Sequence, residues 1–309
     1  MTRRLLGRLG AGLVVLWGTA TLVFFVINLT PGDPAITILG GPDALPTPAV
    51  LRQVRAEYGF NQPLWGQYLH YLGRLLHGDF GVSYRLHQPV LKLIAGQFGA
   101  TATLALWAMV LGSGLALLVA LTTAKRARWL TELLTWAEVV LSSVPSFITG
   151  LLLLLAFSFS LHLFPSSSTN GWTSIILPTV TLALPVAGVL IQVLRRELEE
   201  ILEQPFIITA RTRGLSETGV RLGHALRHAL IPTLTILGVM FTTLLSTAVV
   251  VETVFNRQGL GRMMSDATSN RDVPLVLGIA LLVTSINILA NIVIDFIYVV
   301  VDPRTERHE

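Results

Sequence analysis

The stretch ILPTVTLALPVAGVLIQVL, residues 176–194, is a mostly apolar run without a single charged residue. A second such run, LIPTLTILGVMFTTLLSTAVVV, covers residues 230–251. Between them lies a short basic sequence with two glycines, TARTRGLSETG, residues 209–219. About 20 apolar residues are enough for a helix to cross a bilayer. The alternation therefore predicts two membrane-spanning helices joined by a polar segment.

The composition extends this interpretation to the whole chain. Of the 309 residues, 52% are hydrophobic and 13% are charged, whereas charged residues make up about 25% of an average soluble domain. The net charge is +4, but the basic residues lie between apolar blocks rather than in a patch with interleaved aromatic residues, which argues against a nucleic-acid partner. The chain has no cysteine, which excludes disulfides and thiolate metal sites.

Six apolar blocks are long enough to cross a membrane, so we expect an all-α polytopic membrane protein with six transmembrane helices in contact with lipid. The third and sixth blocks exceed the length of one span, so a tilted or broken helix is expected there. The basic start of the chain also resembles a signal peptide, but the apolar run is longer than a signal core and ends in NLTPGDP without a small-residue cleavage site. This favours an uncleaved first helix. The six blocks are residues 10–29, 101–123, 134–161, 175–194, 230–251 and 275–301.

The distribution of Lys and Arg predicts the orientation of the spans. Placing the N-terminus in the cytoplasm puts most of the 22 Lys and Arg residues in the inside segments, which are shorter in total than the outside segments. Both termini are therefore expected to be cytoplasmic. The predicted organisation is a cytoplasmic N-terminus at 1–9, a first span at 10–29, an extracytoplasmic loop or cap with one or two helices at 30–100, a core at 101–301 with a cytoplasmic loop at 195–229, and a cytoplasmic tail at 302–309.

The cytoplasmic loop at 195–229 divides into short helices. The sequence RRELEEILEQ continues the fourth span with Arg–Glu pairs four residues apart, and Pro205 ends it. FIITARTR then predicts a helix of about two turns, Gly214 a stop in the left-handed region, and Ser216 the N-cap of a further helix. Because a helix this short is marginal in water, it needs a partner surface. Two interpretations remain open: a turn packed on its own bundle, or a docking element for a cytoplasmic protein.

This loop resembles the coupling segment of binding-protein-dependent ABC transporter permeases, and more narrowly that of the dipeptide/oligopeptide/nickel class of inner-membrane subunits. The loop of that class reads roughly T-A-R-A-K-G-L-S, followed by H-x-L-R-N-A and a proline. Here residues 209–216 read TARTRGLS, residues 224–229 read HALRHA, and Pro232 follows. The general permease pattern begins Glu-Ala-Ala, and Thr209 replaces the glutamate, a departure that this class often shows.

Further matches in the same order extend the resemblance over nearly the whole chain. One departure is Arg257-Gln258, where many members have Trp-Pro, and it concerns the outside turn after the fifth span. The matching motifs are PGDP at 31–34, YGFNQPL at 58–64 with QY at 67–68, GDFGVS at 78–83, ETVF at 252–255, GLGR at 259–262, Asp295, and DPR at 302–304.

The resemblance implies a type I ABC importer permease architecture with a long extracytoplasmic loop after the first helix, in a bacterial plasma (inner) membrane. Such a permease binds no cofactor and pairs with a second homologous permease subunit, two cytoplasmic ATPases that hold ATP and Mg, and an extracytoplasmic solute-binding protein. The ATPases drive alternating access through a coupling helix, to which Arg211 and Arg213 would contribute charge-assisted hydrogen bonds. The coupling residues are Thr209, Ala210, Arg211, Thr212, Arg213, Gly214, Leu215 and Ser216.

Polar or helix-bending residues inside the predicted spans are candidates for the translocation pathway. Proline kinks and hydrogen bonds between helices explain many of them as well. The pathway candidates are Ser142, Ser143, Pro145, Ser146, Pro185, Gln192, Asn287 and Asn291. The residues expected to have a structural or gating role are Glu252, Gly259, Gly261 and Asp295, the last of which could instead pair with a cytoplasmic arginine.

Functions of other classes find less support in the sequence. An intramembrane enzyme would need a motif such as G-x-S-x-G or H-E-x-x-H, or paired carboxylates within spans, and a channel not coupled to ATP would need a filter-like loop or a ring of charges. The sequence contains none of these. It also lacks G-x-x-x-x-G-K-[ST], so ATP hydrolysis is assigned to another chain.

Metal binding and the identity of the substrate stay open. His224 and His228, four residues apart, could share a metal ion, as could His70, His77 and His87 in the outside loop, but ordinary surface positions explain them better. The loop after the first span resembles the importer class, so import is the expected direction. The candidate substrates are a di- or oligopeptide, a glutathione-like peptide, nickel and a metal chelate.

Overall fold

The computed structural model describes residues 2–29, 33–39, 46–125, 128–166 and 171–301. Within these ranges the chain is helical, and the one β-type pairing is a bridge between Val82 and Pro89. The predicted all-α fold is confirmed. The helices are α1 (Thr2–Leu29), α2 (Pro34–Ile38), α3 (Pro48–Glu57), α4 (Leu64–Leu76), α5 (Val90–Thr123), α6 (Arg128–Ser143), α7 (Ser146–Leu153), α8 (Ile176–Ile201), α9 (Pro205–Thr212), α10 (Glu217–Gly219), α11 (Leu226–Val254), α12 (Leu260–Ser269) and α13 (Val273–Val301).

The apolar helices make the chain a multi-pass membrane protein. Among the described residues, four continuous helices and one bent helix pair are long and apolar enough to cross a bilayer. The remaining predicted span lies in α1, whose apolar stretch Gly10–Val26 forms a shorter apolar helix. The four continuous helices are Val90–Thr123, Trp172–Ile201, Glu217–Val254 and Val273–Ile294.

The third predicted span, 134–161, is a broken helix. Helices α6 and α7 meet at an angle of 102°. Pro145 lies at the N-cap of α7, where its ring and its missing N–H prevent α6 from continuing. Beyond α7 the chain continues in π-helical turns at Leu154–Ser160. Pro185, by contrast, lies inside the continuous helix α8, so only the first of these two prolines ends a helix.

The loop predicted at 30–100 contains more helix than expected. Its described part holds α2, α3 and α4 instead of one or two helices, and α5 begins at Val90, well before the predicted start of the second span at Thr101. The 34 residues of α5 correspond to about 51 Å of helix at 1.5 Å per residue, whereas the hydrocarbon core is about 30 Å thick. Helix α5 is therefore longer than the apolar layer is thick.

The chain forms two compact units. The first unit comprises Met1–Ala100 and Gln258–Leu289, and the second comprises Thr101–Arg257 and Ala290–Glu309. The first unit thus combines the helices of the first loop with α12 and most of α13. Residues distant in sequence therefore support the first loop.

The first unit has a core in which the loop helices pack on membrane helices. One cluster contains Val90 and Ile94 of α5 together with Leu260, Leu275 and Ile279 of α12 and α13. A second cluster joins aromatic side chains of α1 and α4. Its rings are Phe24, Phe25, Trp65, Tyr68 and Tyr71, with centroid separations from 5.3 to 6.2 Å.

Helix α8 is the centre of the second unit. It packs against α6, α7 and α11, and close contacts require small residues at two points. A Cβ atom on Gly112 of α5 would lie 3.0 Å from the carbonyl oxygen of Ala183, and one on Gly188 of α8 would lie 3.0 Å from that of Glu138. Small residues at such contacts let membrane helices approach closely.

Candidate functional site

Segment 202–225, between α8 and α11, has the local structure that its sequence predicts. Helix α8 ends at Ile201, and Pro205 occupies the first position of α9, where its missing N–H costs no hydrogen bond. Gly214 follows with φ +86°. Ser216 then caps α10, because its Oγ accepts a hydrogen bond from the N–H of Gly219 at 3.2 Å. The predicted order of helix, proline break, short helix, glycine stop and serine cap is confirmed.

Gly214 has a conformational reason to be glycine. Its N–H donates to the carbonyl of Arg211 at 2.9 Å, and the N–H of Leu215 donates to that of Ala210 at 3.4 Å, so the turn satisfies the last carbonyls of α9. A Cβ atom here would meet no atom within 4 Å. The cost of a larger residue is therefore backbone strain of about 1–2 kcal/mol rather than a clash.

One face of α9 packs on the second unit. Ile207 is fully buried and Ala210 nearly so. They belong to a cluster that also contains residues at the ends of three apolar helices: Ala120 of α5 with Ala124 just beyond it, Leu194 and Leu198 of α8, and Ala229 of α11. The interpretation of the loop as a turn packed on its own bundle therefore holds for this face.

The other face of α9 is exposed. Phe206, Ile208 and Leu215 are between 42% and 57% accessible, although they are large apolar side chains. Thr209 and Arg213 are exposed beside them. Phe206 also contacts the ring of His228 edge to face, with centroids 5.3 Å apart. A short helix with one buried and one exposed apolar face has room for a second partner.

The two arginines expected to act alike are in different states. Arg211 forms a bidentate ion pair with Glu217 across the glycine turn, with N–O distances of 2.8 and 3.2 Å. This hydrogen bond holds the pKa of the Glu217 carboxyl below its usual range. Arg213 is exposed and has no ion-pair partner within the described ranges. Arg211 thus stabilises the turn, and Arg213 remains available to another chain.

Arg221 joins the segment to the end of α5 through hydrogen bonds. This contact was not predicted from the sequence. Its guanidinium donates to the carbonyl oxygens of Leu121 at 2.7 Å and Ala124 at 2.8 Å. Carbonyls at the end of a helix have no partner within it, and a cation there also opposes the negative end of the helix dipole. The partners lie about a hundred positions away in sequence, so no local pattern could have revealed the contact.

A second missed contact joins α8 to α6. Arg195 pairs with Glu138 at 3.2 Å instead of with the glutamate four residues further along its own helix, and both side chains are at least 92% buried. The guanidinium also donates to Thr135 Oγ1 at 2.9 Å and to the Thr131 carbonyl at 3.2 Å. The neighbouring Arg196 does form its predicted pair with Glu200, at 3.1 Å.

The pathway candidates are distributed over several helices. Ser142, Ser143, Pro145 and Ser146 lie at the break between α6 and α7, where Ser142 Oγ donates to the carbonyl of Glu138 at 2.8 Å. Three other candidates lie elsewhere on α8 and α13. Gln192 and Asn291 are exposed, and the Oδ1 atom of Asn287 is buried without a hydrogen-bond partner in the described structure.

Of the four residues assigned a structural or gating role, Glu252 has the most constrained position. It is fully buried, and its Oε1 accepts a hydrogen bond from Thr101 Oγ1 at 2.6 Å. Gly259 has extended backbone at the start of α12, and Gly261 is buried within that helix. The side chain of Asp295 and the DPR motif at 302–304 lie outside the described residues.

The first unit holds a polar network and a cavity that the sequence did not predict. Asp272 accepts hydrogen bonds from Ser83 Oγ and from the Tyr84 N–H at 3.1 Å, which ties the GDFGVS motif to the start of α13. Nearby, the hydrogen bond from Arg74 at 2.8 Å holds the pKa of the Asp79 carboxyl below its usual range. A cavity of about 550 Å³ lies against this pair, and aromatic rings such as Tyr84 line it.

The histidines named as possible metal ligands are exposed. His224 precedes α11 and His228 lies in its first turn, and His70, His77 and His87 belong to the first loop. Within the described part of the chain, no group of three or more His, Asp or Glu side chains comes together.

Comparison with known proteins gives consistent matches along the sequence. A family model described as "Binding-protein-dependent transport system inner membrane component" matches residues 90–307, and one for the N-terminal part of such membrane components matches residues 1–105. The chain is 38% identical over 305 residues to the glutathione transport system permease protein GsiC of Salmonella typhimurium strain LT2, which covers 97% of this chain and 96% of that protein. GsiC of Escherichia coli strain K12 is 36% identical, and the match covers the same fractions of the two chains.

Proposed function

The chain belongs to the family of binding-protein-dependent ABC transporter permeases, and from that premise we propose that it carries a small peptide into the cytoplasm, driven by ATPases in other chains through segment 202–225. The observation that carries this proposal is the two-faced helix α9. Ile207 and Ala210 bind it to its own unit, while Thr209, Arg213 and Leu215 face solvent. An exposed apolar side chain beside an unpaired cation suits a groove with apolar and acidic groups on a partner.

The contacts of segment 202–225 suggest how force would reach the membrane. The buried face of α9 packs on the ends of α5, α8 and α11 in one cluster, and Arg221 adds two hydrogen bonds to the end of α5. Because packed interfaces move as units rather than deforming continuously, a push on α9 would displace all three helices together. This is the rigid-body motion that alternating access requires.

The proposed assembly follows from the family and from the charge pattern. The ATP-hydrolysing sites, with their ATP and Mg, belong to two partner ATPases, since this sequence has no phosphate-binding P-loop motif. A second homologous permease subunit completes the membrane part, and an extracytoplasmic binding protein delivers the cargo. The excess of Lys and Arg in segments such as 195–229 supports a cytoplasmic location for that segment and both termini.

The proposed cargo is a small peptide of the glutathione type. The relatives at 36–38% identity are named as glutathione transport permeases, and they match the whole length of the chain closely enough to share an architecture. Nickel and metal chelates have less support, because the described residues contain no cluster of three metal-binding side chains.

The test is ATP-dependent uptake by the reconstituted complex. The chain, the subunits encoded with it and the binding protein would be placed in proteoliposomes, and the uptake of labelled glutathione, a dipeptide and nickel compared. We expect ATP-dependent uptake of glutathione or the dipeptide and no ATP hydrolysis by this chain alone. Uptake of nickel alone, uptake of none of the three, or hydrolysis by the isolated chain would contradict the proposal.

A further inference from the structure

Helix α4 of the first loop has an apolar strip that is exposed in the described part of the chain. Trp65, Leu69 and Leu76 are 67%, 66% and 87% accessible. Their spacing of four and then seven residues places them on one side of the helix, because a helix repeats every 3.6 residues. Single exposed apolar side chains are ordinary, but a tryptophan and two leucines aligned on one strip form a surface.

The other sides of α4 are occupied. Tyr68 is buried against α1. Gln67 donates to the carbonyls of Phe60 and Gln62 at 3.4 and 2.9 Å, and Arg74 pairs with Asp79. The helix therefore has a packed side, a polar side bonded to its own loop, and the apolar strip.

The contact between α4 and α1 fixes the depth of the strip. Tyr68 Oη and Thr21 Oγ1 form a hydrogen bond of 2.6 Å. Thr21 lies within the apolar stretch Gly10–Val26, eight residues before the end of α1 at Leu29, which is about 12 Å along the helix axis. A helix docked at that level lies beside the apolar part of α1 rather than above it.

The strip is also continuous with the exposed apolar side of α1. The ring of Trp65 contacts that of Phe25 at a centroid distance of 5.3 Å. Leu22, Val26 and Leu29 of α1 follow one another at helical spacing and are between 56% and 70% accessible. Since α1 is an apolar helix of a membrane protein, these side chains are expected to face lipid.

We propose that α4 is an amphipathic helix lying in the lipid interface at the C-terminal end of α1, with Trp65, Leu69 and Leu76 in contact with acyl chains. Tryptophan is enriched at this level of a bilayer, and amphipathic helices bind there through their apolar side. The first loop is then anchored to the membrane surface beside α1. This placement does not depend on what the protein transports or on how it is powered.

Site-directed spin labelling tests the placement, and the chain suits it because it contains no cysteine. Single Cys substitutions at Leu69 and Leu76 would be labelled in the full-length chain, assembled in lipid nanodiscs with subunits freed of reactive thiols. Accessibility to oxygen, which concentrates in the bilayer, would be compared with accessibility to a water-soluble chromium complex. Leu22 of α1 is the lipid-facing control, Arg52 of α3 the water-facing control, and His70 tests the neighbouring polar side of α4.

We expect the labels at Leu69 and Leu76 to favour oxygen over chromium several-fold, as at Leu22, and the label at His70 to behave like that at Arg52. Two results would overturn the proposal. Labels at Leu69 and Leu76 with the chromium accessibility of Arg52 would place the strip in water. Labels screened from both reagents would show that another protein, not lipid, covers it.

Discussion

Segment 202–225 and the first-loop segment 46–89 both connect apolar helices, but they use their polar side chains differently. In segment 46–89 several polar groups have partners within the first unit: Arg74 pairs with Asp79, and Ser83 and Tyr84 bond to Asp272. In segment 202–225 only some polar side chains have partners within the chain. Arg213 is exposed without an ion pair among the described residues. The difference suggests that the first segment is built as a support and the second as a contact for another protein.

Replacing Gly214 by proline should have the largest effect. Proline fixes φ near −65°, whereas Gly214 has φ +86° and donates its N–H to Arg211. We expect ATP-dependent uptake to fall to background. The matched change is Gly59→Pro in segment 46–89, where φ is +72° and space is also open. If Gly59→Pro releases the ATPases from the complex as completely as Gly214→Pro does, the contrast between the segments is wrong.

Removing the carboxylate of Asp272 should destabilise the first unit. The residue is 1% accessible, so Asp272→Ala leaves the Ser83 hydroxyl and the Tyr84 N–H without their acceptor, at a cost of about 1–3 kcal/mol for each buried group. The melting temperature of the complex in detergent measures this effect. Asp266→Ala, on the exposed side of α12, is the control and should leave the melting temperature within experimental error.

Arg221→Gln should weaken the connection between ATP hydrolysis and transport. The loss of two charge-assisted hydrogen bonds to the end of α5 corresponds to about 3 kcal/mol. We expect fewer peptides transported per ATP, while the ATPases remain bound, because the exposed face of α9 is unchanged. Arg227→Gln, at an exposed position on the following helix, should transport normally. An unchanged transport-to-hydrolysis ratio in Arg221→Gln would show that α5 is not driven through this contact.

Arg213→Ala and Arg211→Ala separate docking from turn stability. Arg213 is the exposed cation, so its removal should lower the affinity for the ATPases by about tenfold, the equivalent of one charge-assisted hydrogen bond of about 1.4 kcal/mol. Arg211 is held by Glu217, so its removal should chiefly loosen the turn. Binding of purified ATPase to nanodiscs measures the first effect. A larger loss of affinity in Arg211→Ala than in Arg213→Ala would reverse the assignment.

The smallest predicted effect is a dependence on pH. Since Arg211 holds the pKa of Glu217 below its usual range, the pair stabilises the turn above the unfolded pKa of about 4.3 and loses this contribution as the pH falls through the lower folded value. Glu217→Gln should exchange amide hydrogens in segment 202–225 faster than wild type at neutral pH, and the two should converge in acid. Asp79→Asn should show the same behaviour in segment 46–89. A difference that persists below the folded pKa would exclude this pair as its cause.

The local structure of segment 202–225 could be predicted because it depends on residues that are close together in the sequence. Pro205, Gly214 and Ser216 each act over one turn, through a missing N–H, a positive φ and a side-chain cap. The apolar blocks could be predicted for the same reason, since the length of an apolar run is a property of consecutive residues. The contacts of Arg221 and Arg195 could not be predicted, because their partners are far away in sequence and ordinary in type.

The break at Pro145 lies between these two cases, because a bend could be predicted from the sequence but its angle could not. The sequence indicated that block 134–161 was too long for one straight span, and proline offered a reason for a kink. The size of the bend, 102°, depends on how α6 and α7 each pack against α8, which one sequence does not specify. The same limit applies to the pathway candidates, because polarity within a span does not reveal which side of the helix faces a partner.

Site-specific photo-crosslinking tests the docking of segment 202–225 most directly. A photoreactive amino acid would replace Leu215, which is 42% accessible, and for comparison Ala49 of α3, which is exposed in segment 46–89. Irradiation of the assembled complex in nanodiscs should link position 215, and not position 49, to an ATP-hydrolysing subunit. If position 215 yields no link to such a subunit in a complex that still hydrolyses ATP, the proposed docking surface is wrong.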